Sequence, residues 1–243
     1  MSNVQGAMSN KLKTEEHVVA FIDVLGATHM INTDADASLN KIHSAYVKAK
    51  KLFDAWFLSK GLMNELISIT IFSDNIIIAG KVTDVQVFKS VYSAVHIMAA
   101  LFQWLLMVDG ILLRGGITHG SFYKDDIMVW GAALVKSHEL ESKTAIYPRI
   151  VVDPDTIERI GDPFSEENTK FIRLKKDFDG MFFVDYVDYI KPNAQGVNKA
   201  LLLREIDRNM KEISENANNT KLLQKFYWHA NYIESKLADY KVD

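Results

Sequence analysis

The sequence contains no cysteine among its 243 residues. This absence excludes disulfide scaffolds, zinc sites with thiolate ligands and catalytic cysteine nucleophiles. It also agrees with a reducing compartment, since disulfide-dependent folds belong to oxidising ones. An apolar leader is missing too: residues 1–14 are small and polar, which predicts a loose N-terminal arm and no signal peptide. We therefore expect a cytoplasmic protein.

Long hydrophobic runs are also missing. The most apolar stretch, residues 97–108, is far shorter than the roughly 20 apolar residues that a bilayer-spanning helix needs. This stretch therefore predicts a buried core helix, and we expect no membrane partner.

Neither sign of charge is in large excess. The chain has 28 Lys and Arg residues against 31 Asp and Glu residues, so its formal net charge is −3. Proteins that follow the phosphates of nucleic acids usually carry a basic surplus, so we expect no nucleic-acid partner. The signatures GxSxG, GxxxxGK[ST] and HExxH are absent as well, which disfavours serine hydrolases, P-loop enzymes and histidine-based metal sites.

The apolar pattern predicts alternating strands and helices. The first predicted elements are a strand at 17–25, a helix at 38–58, a hairpin of strands 66–72 and 75–79, a helix at 84–108, and strands at 111–118 and 121–129. The later ones are a helix at 131–142, a strand at 148–152, a hairpin of 171–174 with 181–187, and helices at 198–215 and 220–237. The opening order β-α-β-β-α-β is that of a ferredoxin-like or palm-type core.

We therefore predict an α/β (α+β) fold with a palm-type βαββαβ core and a C-terminal helical extension. The predicted organisation is an N-terminal arm at 1–14, one α/β domain at 15–190, and helices at 191–243 that pack on the core or on a partner.

Two aspartates occupy unusual positions in this pattern. Asp23 interrupts an apolar strand, and Asp74 lies at the tip of the first hairpin. A carboxylate in a buried strand is costly unless a positive group compensates it. In a palm-type core the first strand and the hairpin are neighbours, so we expect both carboxylates to reach one place and share divalent ions there. Taken singly, Asp74 is also an ordinary turn residue and Asp23 an ordinary residue at a sheet end.

Two glycine-containing segments accompany the aspartates. Leu25-Gly26-Ala27-Thr28 leads from a strand toward a helix, where backbone N–H groups can face an anion, although an ordinary strand-to-helix turn has the same composition. The paired glycines Gly115 and Gly116 indicate close approach by a ligand or another backbone. Packing against a crossing helix explains them equally well.

Together these segments resemble the catalytic domain of the class III nucleotidyl cyclases. Residues 21–28 (FIDVLGAT) are similar to the family's first-strand motif F-x-D-I-x-G-F-T, and residues 72–75 (FSDN) to its second metal-binding hairpin. Residues 114–120 (RGGITHG) and Trp130-Gly131 are similar to the half of the domain that faces a dimer partner. The resemblance covers residues 17–187 and implies that the domain at 15–190 is a nucleotidyl cyclase domain, a phosphorus–oxygen lyase.

The resemblance implies a metal-dependent cyclisation of a nucleoside triphosphate. Asp23 and Asp74, with the carbonyl oxygen of Val24, would hold two Mg²⁺ or Mn²⁺ ions, and the turn Gly26-Ala27-Thr28 would contact the triphosphate. One ion would help to ionise the ribose 3′-hydroxyl and the other would neutralise the leaving pyrophosphate. Family members form dimers with shared sites, and both halves occur in this chain, so the resemblance implies a symmetric homodimer.

Several positions depart from the purine cyclases of the family. The base-reading positions hold Thr70 and Met128, which cannot reproduce the purine hydrogen-bond pattern. With Trp130, we expect both residues to lie near the nucleotide. The positions of the family's ribose-binding Asn and transition-state Arg hold Val135 and Glu139.

With Glu139 at that position, another cation must face the charge that develops on the phosphoryl group. The candidates are Arg114, Lys136, Arg149, Lys175 and Lys176, of which Lys175 is also expected to contact the nucleotide. Arg114 or Arg149 has an alternative, purely structural role in an ion pair with Glu139. Glu139 and Lys143 are themselves spaced as a surface ion pair on a helix.

Four further segments are similar to the pyrimidine cyclases of Pycsar anti-phage systems. These are residues 114–117 (RGGI), 130–134 (WGAAL), 138–141 (HELE) and 147–150 (YPRI). Those enzymes make cyclic UMP or cyclic CMP, which activates a separate effector, so the resemblance implies UTP as substrate, with CTP next. Two alternatives stay open: a catalytically inactive cyclase-like module that binds nucleotide, and an adenylate or guanylate cyclase with unusual base readers.

Overall fold

A computed structural model describes residues 11–59, 67–189 and 197–239, and within them eight strands form one mixed sheet. The strands are β1 (Glu15–Val24), β2 (Ile67–Phe72), β3 (Asn75–Lys81), β4 (Leu113–Lys124), β5 (Val129–Trp130), β6 (Ile150–Val152), β7 (Leu174–Lys176) and β8 (Phe182–Val184). The α-helices are α1 (Ala27–Ser59), α2 (Phe88–Val108), α3 (Ala132–Glu139), α4 (Pro154–Ile160), α5 (Val197–Glu215) and α6 (Thr220–Asp239).

The strand order is β2-β3-β1-β4-β6-β8-β7, with β5 paired to β4. β1 is antiparallel to both of its neighbours, β3 and β4. The succession β1-α1-β2-β3-α2-β4 is the predicted β-α-β-β-α-β core. The predicted mixed α/β fold is therefore confirmed. A late hairpin forms from β7 and β8, but its first strand lies at 174–176 and not at the predicted 171–174.

β1 lies inside the sheet because its side chains are apolar on both faces. Ala20 and Ile22 belong to the main core with residues of α1 and α2, whereas Val19 and Phe21 pack on the opposite face, where α3 covers the sheet. Because side chains alternate along a strand, Asp23 belongs to the same face as Phe21. We call this side of the sheet the α3 face.

α2 is the central helix of the main core. The helical stretch from Val85 to Val108 is long and apolar enough to cross a membrane by length and composition, but 83% of its most apolar window is buried inside the fold. The predicted core helix at 97–108 is therefore confirmed. Asp84 caps the start of this stretch, and its carboxylate accepts a hydrogen bond from the N–H group of Gln86.

Close packing of α3 on β4 depends on the paired glycines. A Cβ atom at Gly116 would lie 2.4 Å from the Cβ atom of Leu140 and 2.6 Å from the carbonyl oxygen of Ser137. A Cβ atom at Gly115 would lie 2.6 Å from the carbonyl oxygen of Phe21 on the neighbouring strand. Of the explanations that the sequence leaves open, close approach of a helix and a neighbouring strand is the one found in the fold.

Several elements differ from the predictions. α1 begins at Ala27, and at Asp34 the backbone leaves the helical region (φ −157°, ψ 92°). The Asp34 carboxylate accepts a hydrogen bond from the N–H group of Ala37, so a second helical segment starts there, close to the predicted start at residue 38. The predicted strands 111–118 and 121–129 form one strand, β4, along which only β5 returns. The pattern does not predict α4, because its seven residues are too few to show helical periodicity.

The C-terminal helices pack on the core. Tyr232 and Ile233 of α6 and Leu202 of α5 belong to the main core cluster. The ammonium group of Lys236 forms a buried ion pair with the carboxylate of Asp185. Contact of these helices with a dimer partner stays a prediction, and most of the predicted arm and the boundary at residue 190 lie outside the described residues.

Candidate active site

Asp23 and Asp74 lie at the same end of adjacent strands. Asp23 of β1 faces Asn75, the first residue of β3. The N–H group of Val24 donates to the carbonyl oxygen of Asp74 at 3.0 Å, which joins the hairpin tip to the end of β1. The fold thus brings together the two aspartates that are far apart in the sequence.

The hairpin tip fixes Asp74 through its own turn. Ser73 adopts the left-handed conformation (φ 54°), which is common where two antiparallel strands are joined by a two-residue turn. The side-chain amide of Asn75 donates to Oδ1 of Asp74 at 3.0 Å. This contact leaves the other carboxylate oxygen of Asp74 without a hydrogen bond within the described part of the chain, so that it is available to a ligand.

The Asp23 carboxylate is partly buried beside a cation. Nε of Arg114, directly opposite on β4, donates to Oδ2 of Asp23 at 3.1 Å. Burial raises the pKa of Asp23, the hydrogen bond and charge of Arg114 oppose this shift, and the charge of Asp74 adds to it. The two aspartates therefore repel each other, and a divalent cation between them would relieve that repulsion.

Glu141, a residue that the sequence motifs do not point to, holds Arg114 from its other side. Nη2 of Arg114 lies 2.6 Å from Oε1 of Glu141, whose side chain is only 4% exposed. Burial raises the pKa of Glu141, and the charge of Arg114 opposes that shift. Asp23, Arg114 and Glu141 thus form a row of alternating charges between the sheet and α3.

Glu141 reaches this position through a π-helical turn at Leu140–Thr144, which follows α3. In this turn the N–H group of Ala145 donates to the carbonyl oxygen of Leu140 at 2.8 Å, five residues back. A π turn inserts an extra residue and so changes which side chains face the core. In a regular helical pattern Glu141 is only one more polar position, so the sequence alone gives no clear signal for its burial.

The predicted triphosphate turn lies beside the aspartates. Gly26 connects β1 to α1 with a φ of +77°, a conformation that favours glycine, and no atom lies within 4 Å of the place its Cβ would occupy. Gly26 and Thr28 are exposed, whereas Ala27 is buried. Because α1 begins at Ala27, its first N–H groups lie at the same end of the sheet as Asp23.

The donor atoms at this end suit a metal ion that arrives with a phosphate ligand. Carboxylate and carbonyl oxygens, as offered by Asp23, Asp74 and Val24, are the ligands that Mg²⁺ and Mn²⁺ prefer. Within the described residues, no group of three or more His, Cys, Asp or Glu side chains is arranged to hold a metal ion. Mg²⁺ that acts on phosphates is commonly held by one or two carboxylates, and the substrate completes its coordination. The two aspartates fit that kind of site.

The residues expected to read the base lie toward the other end of β1. Trp130 pairs with Tyr123 near the end of β4, and the adjoining segment 120–122 of β4 faces residues 15–17 of β1. His17 and Asp23 are six positions apart along β1, which is about 20 Å at roughly 3.4 Å per residue. Met128 and Trp130 are 42% and 66% exposed. They line a groove of about 620 Å³ together with Leu12, Lys13, Thr14 and Tyr123.

Thr70 lies at the edge of the sheet, between these two ends. It pairs with Ile77 of β3, which in turn pairs with Phe21 of β1. Because directly paired residues share a face of the sheet, Thr70 belongs to the α3 face, as Asp23 does.

Two of the predicted cations are engaged elsewhere by carboxylates. Lys136 lies 2.6 Å from Asp153 and 2.8 Å from Asp155, measured from its Nζ to a carboxylate oxygen. The buried guanidinium of Arg149 forms ion pairs with Asp177 and Asp179.

The two predicted lysines of β7 are also placed away from Asp23. Nζ of Lys175 donates to the hydroxyl of Ser235 at 2.7 Å, and Nζ of Lys176 lies 5.6 Å from the ring centroid of Phe182. Of the five predicted cations, Arg114 is therefore the one that contacts Asp23.

The alternative ion pair of Arg114 or Arg149 with Glu139 is wrong. Glu139 pairs with Lys143 at 2.7 Å, four residues later on an exposed helical surface, as its spacing indicates. Glu139 faces solvent before the π turn, whereas Glu141 within the turn forms the ion pair with Arg114.

One further cation, Lys225 of α6, approaches the same cluster. Its side chain is half-buried, and burial lowers its pKa. Lys225 interacts electrostatically with Arg114, Asp23 and Glu141. No sequence motif points to Lys225, because α6 follows the segment that resembles a cyclase.

Comparison with known proteins gives matches among solved structures. No protein-family model matches the chain, and no curated protein matches it. A protein from Silicibacter pomeroyi described as an adenylate/guanylate cyclase/hydrolase is 13% identical, with a TM-score of 0.43, over 71% of this chain and 96% of that one.

Two further solved structures are similar at comparable levels. The catalytic core of a rhodopsin-guanylyl cyclase with converted specificity, in complex with ATPalphaS, is 14% identical with a TM-score of 0.41, over 71% of this chain and 96% of that one. A class III adenylyl cyclase-like ATP-binding protein from Pseudomonas aeruginosa is 8% identical with a TM-score of 0.41, over 64% of this chain and 37% of that one.

Proposed function

We propose that this chain is a metal-dependent nucleotidyl cyclase, which converts a nucleoside triphosphate into a 3′,5′-cyclic nucleotide and pyrophosphate. The observation that carries this proposal is the meeting of Asp23 and Asp74 at the ends of two adjacent strands, beside the start of α1. The similarity of residues 21–28 and 72–75 to the two metal motifs of class III cyclases supports the same chemistry.

In this reaction the ribose 3′-oxygen bonds to the α-phosphorus, the bond from that phosphorus to pyrophosphate breaks, and the proton of the 3′-hydroxyl passes to solvent. Mg²⁺ or Mn²⁺ held here would supply positive charge against the 3′-oxygen and the leaving pyrophosphate. Asp23 and Asp74 would hold the ions, with the Val24 carbonyl as a further ligand. The exposed turn at Gly26 would present backbone N–H groups to the triphosphate. Arg114, which contacts Asp23, would orient that carboxylate.

We propose further that the active unit is a symmetric homodimer with two composite sites. Because Trp130 lies toward the opposite end of the strands from Asp23, one chain does not bring its own Met128 and Trp130 to a nucleotide held at the aspartates. A second copy in a two-fold arrangement would supply them. Ile127, Trp130 and Val135 are 90%, 66% and 61% exposed, and exposed apolar surface of this kind is typical of an interaction site.

The finer proposal is a pyrimidine substrate, UTP before CTP. Thr70 offers a single hydroxyl and Met128 no hydrogen-bond donor, which does not suit the purine edge. By the resemblance to Pycsar cyclases, the product would activate a separate effector in anti-phage defence within the cytoplasm.

Incubation of the pure protein with ATP, GTP, CTP or UTP and Mn²⁺ tests both levels of the proposal. We expect cyclic UMP as the main product, identified by mass spectrometry, with less cyclic CMP. Asp23→Asn and Asp74→Asn keep the side-chain shape but remove the ligand charge, so each should lower turnover roughly a thousandfold or more. Asp54→Asn, the same change in a surface ion pair with Lys50, is the matched control and should keep full activity.

Two results would contradict these proposals at different levels. A protein that forms no cyclic nucleotide, or an Asp23→Asn variant that still forms it at the wild-type rate, contradicts the cyclase proposal. Cyclic AMP or cyclic GMP as the main product contradicts the pyrimidine proposal alone.

The second candidate is a nucleotide-binding module without catalysis. Val135 and Glu139 favour it, because they stand where class III cyclases carry Asn and Arg, and Glu139 is engaged with Lys143. Tight nucleotide binding without turnover, unchanged by the divalent metal, would favour this candidate over the enzyme.

A further inference from the structure

The N-terminal half of α6 is fixed against the segment that follows the π turn. The indole of Trp228 stacks on the ring of Tyr147, with centroids 5.8 Å apart and an interplanar angle of 9°. Its Nε1 atom donates to Oδ2 of Asp177 at 2.9 Å. Farther along the helix, Tyr232 and Lys236 bind the buried carboxylate of Asp185. These contacts determine which face of α6 meets the domain.

Lys225 lies on that face. It precedes Trp228 by three residues, and residues three apart on a helix are neighbours on one side. The side chain is half-buried, yet among the described residues no carboxylate lies within ion-pair distance of its ammonium group. A partly buried ammonium group without a close partner is costly unless an anion completes its surroundings.

This end of α6 lies beside the candidate site. Tyr147, on which Trp228 stacks, is two residues before Arg149, whose carbonyl oxygen accepts a hydrogen bond from the N–H group of Gly115, next to Arg114. Lys225 interacts electrostatically with Asp23 and Glu141, which favour its charged form, and with Arg114 and its helix neighbour Lys221, which disfavour it. Arg114 is already engaged by Asp23 at 3.1 Å and by Glu141 at 2.6 Å. Of these two cations, Lys225 is therefore the one that an incoming anion can bind without breaking an existing ion pair.

We propose that Lys225 is a phosphate-binding residue of this site, through which α6 contacts the polyphosphate of a ligand held at Asp23 and Asp74. The inference rests on the proposed function for the nucleotide. The expected ligand class at Lys225 is wider than nucleotides and includes any polyphosphate that carries a divalent cation. The C-terminal helix is then part of the active site, and its docking through Trp228 positions a catalytic-site cation.

Binding of inorganic tripolyphosphate in the presence of Mn²⁺, measured by calorimetry on the full chain, tests this inference. Lys225→Met should bind roughly ten- to a hundredfold more weakly, the usual range for loss of a charged hydrogen bond. Lys225→Arg keeps the charge and should recover most of the affinity. Lys211→Met removes the same charge from an exposed position on α5, 71% exposed, and should bind as the wild type does.

A second measurement uses the unaltered protein. Reductive methylation of lysines, quantified by mass spectrometry, should be slowed at Lys225 by Mn²⁺ with tripolyphosphate, while the rate at Lys211 stays the same. Protection that is equal at both lysines, or absent from both, contradicts the inference even if the Lys225→Met protein does not fold.

The outcomes separate this inference from the proposed function. If tripolyphosphate binds and Lys225→Met weakens it, but no nucleotide is cyclised, the cyclase proposal fails while the role of Lys225 stands. If cyclisation depends on Asp23 but Lys225→Met binds tripolyphosphate with wild-type affinity, the role of Lys225 is overturned while the cyclase stands. A wild-type protein that does not bind tripolyphosphate with Mn²⁺ also overturns it.

Discussion

The two ends of β1 differ in charge and in exposure. At the end that carries Asp23, three carboxylates and two cations gather, and Glu141 is almost fully buried. At the other end, Met128 and Trp130 are largely exposed beside an open groove. The first region suits a metal ion with its phosphates, and the second suits an apolar partner or a base. In the proposed dimer these two regions, about 20 Å apart in one chain, would be the two halves of a shared site.

The largest expected effect concerns the proposed shared site, in which the Asp23 end of one chain and the Trp130 end of the other bind one nucleotide. Asp23→Asn and Trp130→Ala damage opposite ends, so each alone should lose activity. In an equal mixture after subunit exchange, half of the dimers have one intact composite site, which restores about a quarter of wild-type turnover. The measurement is cyclase activity against mixing ratio.

The matched control for this mixture is Asp23→Asn with Asp74→Asn. Both variants damage the same end, so no combination yields an intact site and activity should stay absent. Recovery in the control mixture, or none in the first mixture, contradicts the composite arrangement.

The buried end should depend on Glu141 for its stability. Glu141→Gln leaves Arg114 without one of its two carboxylate partners, and we expect a loss of about 1–3 kcal/mol in the free energy of unfolding. Glu139→Gln makes the same change two residues earlier, in an exposed pair, and should cost much less. Urea denaturation of both variants measures the difference. Equal losses in the two variants would show that the buried ion pair of Glu141 with Arg114 stabilises the fold no more than the exposed pair of Glu139 does.

The pH dependence of Mn²⁺ affinity should report on the charged end alone. Burial and the nearby Asp74 raise the pKa of Asp23, so protons compete with the metal at a pH above the ordinary range of an aspartate. The affinity for Mn²⁺ should therefore already fall at a pH above the ordinary pKa of an aspartate. In Asp23→Asn, the plot of Mn²⁺ affinity against pH should no longer show this fall. Electron paramagnetic resonance of free Mn²⁺ measures it. If the wild type and Asp23→Asn show the same dependence of Mn²⁺ affinity on pH, Asp23 is not a ligand of the metal.

The same raised pKa has a consequence for the metal-free protein. The folded state holds a proton on Asp23 at a pH where the unfolded chain has lost it, so this group makes stability fall as pH rises through that interval. Bound metal should reverse the slope, because it favours the ionised carboxylate.

The smallest expected effect on folding is at the exposed end. Trp130→Ala should change the free energy of unfolding of the monomer by less than about 0.5 kcal/mol, since the side chain is 66% exposed. Dimer dissociation, measured by sedimentation, should become at least roughly tenfold easier. Phe178→Ala, at an exposed aromatic outside this groove, should leave dimerisation unchanged.

Local patterns in the sequence predict the elements that hold the aspartates. β1, the first hairpin and α2 have apolar runs or helical periodicity long enough to be recognised, and Asp23 and Asp74 stand out because they interrupt apolar segments. Their meeting follows from the βαββαβ order, which makes β1 and β3 neighbours. The proximity of Asp23 and Asp74 could therefore be predicted from the sequence alone.

The surrounding charges could not be read in this way, because ion pairs depend on tertiary contacts. Arg149 lies in a motif that invites a catalytic role, yet Asp177 and Asp179 of a later hairpin bind it. Glu141 is buried because of a π turn, and the apolar pattern of the sequence does not predict that turn. Lys225 comes from a helix outside the cyclase-like segment.

The proposed function requires that Asp23 and Asp74 hold one metal–nucleotide complex between them. A crystal structure with Mn²⁺ and a UTP analogue that resists cyclisation would locate the ions by their anomalous scattering. We expect Mn²⁺ bound by carboxylate oxygens of both aspartates, with the triphosphate against the turn at Gly26. Mn²⁺ bound elsewhere, or a nucleotide seated away from both aspartates, would contradict it.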